Sequence, residues 1–251
     1  MGSVGEAETM AGCPECGREL VDIKRYLFCR EHGAFDRSLR RVEITKGEMR
    51  IAGNMASYLS FIERLKPSLQ VKTGFLIKSE KWKVDWAKME DQPDIMYAER
   101  VGVSIYRPGT GGPWTSYQLI VEYYPDFPPE DAGGEVRKAL EEGFVPPLDK
   151  DYLEKVKKEF SKAYGGKNAA GLDVIFTPEI TREAAEYCRE QKTLLKLGMH
   201  GLAQIAFVAV NPEYRVVSMV SDRLRGYVKH HFPEAYSLLS EMDGWMEVEA
   251  S

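Results

Sequence analysis

Residues 13–33 contain Cys-Pro-Glu-Cys-Gly and then Cys-Arg-Glu-His-Gly, with twelve residues between Cys16 and Cys29. No other feature constrains the chain so tightly. Each Cys-x-x-Cys or Cys-x-x-His turn offers two ligands from one tight loop, and Gly17 and Gly33 follow at positions where such a loop needs a positive φ. Two loops of this kind facing each other bring Cys13, Cys16, Cys29 and His32 into a tetrahedron. Three sulfurs and one imidazole suit one zinc ion and leave no coordination position open, so the predicted role is structural. A disulfide framework fits less well, because three of the four cysteines crowd at the N-terminus and the fourth is distant, at Cys188.

The two ligand pairs, with Tyr26 and Phe28 just before the second, resemble the zinc-ribbon family over residues 12–35. The resemblance implies a small metal-centred β fold. Its functional message is a tilt toward nucleic acid or a macromolecular assembly, because zinc ribbons serve many kinds of protein. His32 stands where a fourth cysteine is more frequent, which argues against a rubredoxin-like iron site.

The rest of the chain is too long to be an accessory of that module. Its 251 residues, 43% of them hydrophobic, can bury a separate large core. The organisation expected is a disordered leader over 1–12, a zinc-ribbon module over 13–50 and an α+β domain over 51–251, sheet-rich to about residue 128 and helical after it. A helix is predicted from Asn54 as N-cap to Pro67, with Tyr58, Leu59, Ile62 and Leu65 at helical spacing. Alternating segments at 69–77, 101–106 and 117–123 read as strands of an antiparallel sheet, with a Gly/Pro-rich loop at 107–113. Helices are then expected around Val136 to Leu140, over 152–164 ending at Gly165-Gly166, from Thr181 onward, and from Pro233 to about Met242. Residues 202–210 suit a buried helix or a buried strand equally. For the residues after them, Asn211-Pro212-Glu213 favours a helix start over a strand returning through 216–221.

Charge is unevenly distributed. The chain carries −5 overall, yet residues 18–88 hold 16 Lys and Arg against 9 Asp and Glu, a net of +7; residues 1–17 carry −3, leaving the stretch from Met89 onward at −9. A basic block beside an acidic one suits contact with a polyanion. Arg37, Arg40, Arg41, Lys81 and Lys83 are the candidate phosphate contacts and Trp82 a candidate base-stacking platform. Alternatively, Trp82 and Trp86, four apart, share the buried face of a short helix. The mean hydropathy of −0.37 and the lack of a long apolar run predict no membrane partner, and the N-terminus lacks a secretory core, so a cytoplasmic location is expected.

The function expected is that of a non-catalytic binding protein acting on nucleic acid or within a nucleoprotein assembly. The alternatives are a metal-dependent nucleic-acid-processing enzyme and an adaptor subunit that binds other proteins. For the enzyme, Asp94 or Asp126 would share a divalent ion with Glu122, although no Glu-x-Lys follows. His200, His230 and His231 have no nucleophile partner in sequence. Cys188, among alanines at helical spacing, reads as a core residue.

Overall fold

In the computed structural model the described residues are 11–70, 82–87, 95–102, 115–166, 169–189, 203–218, 221–242 and 245–246. The expected strand at 69–77 beyond residue 70, the expected strand residues 103–106, the Gly/Pro loop at 107–113, Lys81, Asp94 and His200 lie outside them, as does the leader up to residue 10.

The N-terminal module is a four-stranded antiparallel sheet in the order β1 (Val21–Asp22), β2 (Leu27–Cys29), β3 (Gly33–Phe35), β4 (Arg41–Val42). Ala11 and Gly12, expected in the leader, belong to it: Gly12 bridges to Glu19, and the Leu20 amide donates to the Ala11 carbonyl at 3.0 Å.

Helix α1 (Lys46–Gln70) follows, starting eight residues before the predicted N-cap. The reason is a reciprocal capping box. Thr45 Oγ1 accepts from the Glu48 amide at 3.2 Å, and Glu48 Oε2 accepts from the Thr45 amide at 2.8 Å. Asn54 is instead fully buried in mid-helix, where its Nδ2 donates to the Phe176 carbonyl at 2.9 Å and the Tyr124 carbonyl at 3.3 Å. Pro67 is carried inside the last turns. The expected module boundary at residue 50 therefore falls within one continuous helix.

The second sheet has seven strands in the order β11-β10-β9-β8-β7-β6-β5, comprising β5 (Trp82–Ala87), β6 (Ile95–Gly102), β7 (Thr115–Tyr123), β8 (Ala169–Phe176), β9 (Ala203–Asn211), β10 (Val216–Ser218) and β11 (Trp245–Met246). The first three form an antiparallel meander. The β7–β8 and β8–β9 pairs are parallel, so the sheet is mixed rather than antiparallel and runs well past residue 128. A parallel pair needs a crossover. Helices α2 (Gly134–Glu142) and α3 (Lys150–Tyr164) supply it between β7 and β8, and α4 (Arg182–Arg189) lies between β8 and β9. Strand β8 is buried at all eight positions; covered on both faces, it shows no alternation to read.

Residues 212–215, favoured as a helix start, form a turn into β10, which pairs antiparallel with β9. The Asn211 side chain closes that turn by accepting from the amides of Glu213 (3.0 Å) and Tyr214 (3.4 Å), as it would have capped a helix. Helices α5 (Asp222–His231) and α6 (Pro233–Ser240) lie between β10 and β11.

The architecture is helix–sheet–helix. One face of the sheet packs Val121, Leu172, Val174 and Val208 against residues of α1, α5 and α6, and Ile23 and Phe28 of the N-terminal module join this same apolar cluster. The other face packs Ile175, Phe207 and Ala209 against Leu153 and Phe160 of α3 and Ala184 and Cys188 of α4. Among the described residues no helix is long and apolar enough to cross a membrane.

Arg50 locks α1 to the far loops. Its guanidinium donates to Glu213, to Glu179 and to the carbonyls of Gly143 and Pro178. One turn earlier the helix passes α2 at Gly47, where a Cβ would stand 2.6 Å from Leu140 Cδ2 and 2.9 Å from the Leu140 Cα and the Phe144 carbonyl oxygen. Backbone atoms cannot yield to it. Gly47→Ala should destabilise the protein by about 1–3 kcal/mol through overpacking, read as a lower urea midpoint with the slope unchanged.

Candidate metal centre

The loop before β1 and the β2–β3 turn face each other. In the first, the Gly17 amide donates to the Cys13 carbonyl and the Cys13 amide to the Arg18 carbonyl, both at 2.7 Å, which folds Cys13 and Cys16 onto one side. In the second, Cys29 ends β2 opposite Gly33, leaving His32 in the turn. Gly17 and Gly33 have φ of +72° and +86°, the left-handed conformation expected of them. A Cβ at Gly33 would also lie 3.0 Å from the flexible Cε end of Met49 on α1, so the positive φ is the stronger reason for glycine there.

These loops gather Cys13, Cys16, Cys29 and His32 so that their ligand atoms all lie within 4.8 Å of one another, an arrangement that could hold a metal ion. His32 Nδ1 lies 3.6 Å from both Cys13 Sγ and Cys29 Sγ, and Cys16 Sγ lies 3.8 Å from Cys29 Sγ. The last separation is far too long for a disulfide, whose bond is about 2.05 Å. Burial pushes the Cys13 thiol up. Hydrogen bonds from the Glu15 and Cys16 backbone and from the neighbouring thiols outweigh it and bring Cys13 down to about 7, favouring the thiolate a metal needs. For Cys16 a backbone bond from Arg18 lowers the pKa, but burial and the Cys13 and Cys29 thiols raise it overall. The opposite ring nitrogen, His32 Nε2, faces Glu15 Oε2 at 3.8 Å, and Glu15 Oε1 accepts from Arg41 Nη1 at 3.3 Å.

Of the predicted phosphate contacts, Arg37 and Arg41 are engaged in ion pairs within the module. Arg37 forms a two-pronged ion pair with Asp22, and this guanidinium holds the Asp22 carboxyl below its ordinary value. Arg41 reaches Glu15. Arg40 is exposed, its backbone amide held by Asp36 at 2.9 Å. Trp82 and Lys83 begin β5 opposite Arg100 and Glu99 of β6, so this segment is a strand and not the alternative short helix.

The carboxylates expected to share a divalent ion are not brought together among the described residues. Asp126 is exposed just past β7, its carboxylate accepting from the Phe127 amide. Glu122 is buried and accepts from the Tyr152 hydroxyl at 2.7 Å. Its acidic neighbour is Asp173 of β8, fully buried with neither carboxylate oxygen hydrogen-bonded. Sequence reasoning passed over Asp173, though a lone Asp inside the apolar run Ala169–Phe176 was the visible signal. His230 is exposed at the end of α5, while His231 stacks on Tyr117 with ring centroids 5.5 Å apart. Cys188 is fully buried, and burial, followed by the nearby Asp173, pushes its thiol up to about 12.

No family model, curated protein or solved structure matches this chain.

Burial raises Glu122 from an ordinary value of 4.5 to about 7, and burial together with Glu122 raises Asp173. Both groups bind protons more tightly folded than unfolded. For Glu122 the contribution is therefore complete below about pH 4.5 and is lost as pH rises through about 7, and Asp173, also raised, adds a loss of the same sign. Stability should fall by roughly 2–3 kcal/mol across that window from Glu122, and Glu122→Gln should flatten the fall, measured by urea midpoints at successive pH values. A thiol reagent should label Cys188 in the native protein only as fast as the core opens.

Proposed function

We propose that the N-terminal module is a zinc ribbon and that the chain is a non-catalytic binding protein acting on nucleic acid or within a nucleoprotein assembly. The observation that carries the zinc assignment is the set of distances among the four ligands. Zn–S bonds of about 2.3 Å and Zn–N bonds of about 2.0–2.1 Å, arranged as a tetrahedron, require S···S edges of about 3.8 Å and S···N edges of about 3.5 Å. Three of the six edges are 3.8, 3.6 and 3.6 Å, and all four ligand atoms lie within 4.8 Å of one another. With four protein ligands the coordination is closed, and the metal's role is to stabilise the fold.

That stabilisation extends beyond the module, because Ile23 and Phe28 share the main core and Gly33 packs on Met49 of α1. The wild-type protein should bind one zinc per chain. Cys29→Ser should release it and lower the melting temperature of the whole protein, with near- and far-ultraviolet dichroism melting together; a main domain melting unchanged would separate the two cores.

Support for nucleic acid as partner comes from charge: the +7 excess of residues 18–88 coincides with the module and with the strand carrying Trp82 and Lys83. Neutralised phosphates release counterions, so affinity for DNA or RNA should fall steeply with salt. Arg40→Glu/Lys83→Glu should weaken binding and reduce the salt slope by about one unit per lost contact. Titrations of single- and double-stranded DNA and RNA at two salt concentrations test this. Absence of binding at low salt would favour the protein-adaptor reading.

A further inference from the structure

We propose that Glu15, steadied by Arg41, is a positioning residue for the histidine ligand, so that the metal centre is a relay running metal–His32–Glu15–Arg41. The inference rests on the metal-centre reading and deepens it. Nδ1 of His32 faces the sulfurs of Cys13 and Cys29. An imidazole that ligates through Nδ1 carries its proton on Nε2, and here Nε2 points toward the Glu15 carboxylate, 3.8 Å away. A carboxylate at the far side of a ligand histidine selects the tautomer, fixes the ring plane and raises the basicity of the ligating nitrogen.

Glu15 is well placed for this role by its own loop. It lies between the ligands Cys13 and Cys16, and its backbone hydrogen-bonds the Cys13 sulfur while its side chain turns to His32. The other carboxylate oxygen is taken by Arg41, whose position at the start of β4 is set by pairing with Phe35 of β3. Half-exposed Glu15 would otherwise be free to swing into water; the guanidinium keeps one oxygen occupied and the other directed at the ring. Arg41 is thereby withdrawn from the phosphate-contacting set and assigned to the metal.

The test is competition between the full-length protein and a colorimetric chelator for zinc, with cobalt absorption spectra of the same variants. Glu15→Gln and Glu15→Ala should hold zinc roughly 10–100-fold more weakly than wild type and shift the cobalt ligand-field bands. Arg41→Ala should lose less, and Glu15→Asp should recover part of the loss. The urea midpoints of the metal-free forms should match wild type, which separates positioning of the ligand from a general structural effect. If wild type takes up no metal, the metal-centre reading itself falls. If wild type binds zinc and Glu15→Gln binds within twofold of it with an unchanged cobalt spectrum, the relay alone is overturned. Arg41→Ala indistinguishable from wild type would remove Arg41 from it.

Discussion

The packing of α1 against both sheets is the interaction on which the other parts depend. At its N-terminal end Met49 closes over Gly33 of the metal module, and Arg50 ties the helix to the loops holding Glu179 and Glu213. In its middle the Asn54 amide reaches the Tyr124 and Phe176 carbonyls, just past β7 and at the end of β8. A buried amide that serves two carbonyls is costly to misplace, so the helix and the parallel strands are locked in one register. The small sheet thus borrows the core of the large one, since its own apolar cluster of Cys13, Leu20, Cys29 and Phe35 is slight.

This joint core changes what the metal means for the protein. In a module tethered by a loose linker, metal binding free energy would stay local. Here Ile23 and Phe28 sit in the cluster that also contains Val121 and Val174. A metal bound at the candidate site would therefore act on the seat of α1 as well as on the module.

Two polar sites sit in contrasting settings. At the candidate metal centre, backbone amides and neighbouring thiols lower Cys13 toward the thiolate that a metal would need. Under α3 and α4, the Tyr152 hydroxyl donates to Glu122 while neither Asp173 oxygen is hydrogen-bonded among the described residues, and burial dominates, so both are held toward the neutral form. The same physics, desolvation against hydrogen bonding, comes out with opposite sign.

The sequence by itself determined the metal cluster, since Cys13, Cys16, Cys29 and His32 with Gly17 and Gly33 are local turns whose geometry depends on residues a few positions apart. It also determined β7, α3, the start of α4 and α6, where alternation or caps are short-range signals. Only the tertiary structure decided the rest. Asn54 lies inside α1 rather than at its start because the Tyr124 and Phe176 carbonyls take its side-chain amide; β8 and β9, apolar on both faces, became strands because neighbours cover both sides; Asn211 closed a turn because β10 returns beside β9. Asp173 became the neighbour of Glu122 through strand pairing between residues some fifty positions apart. Arg37 and Arg41, legible only as cations, found Asp22 and Glu15 once the small sheet brought them together. Long-range pairing leaves no periodicity in the chain, so these placements could be read only from the fold.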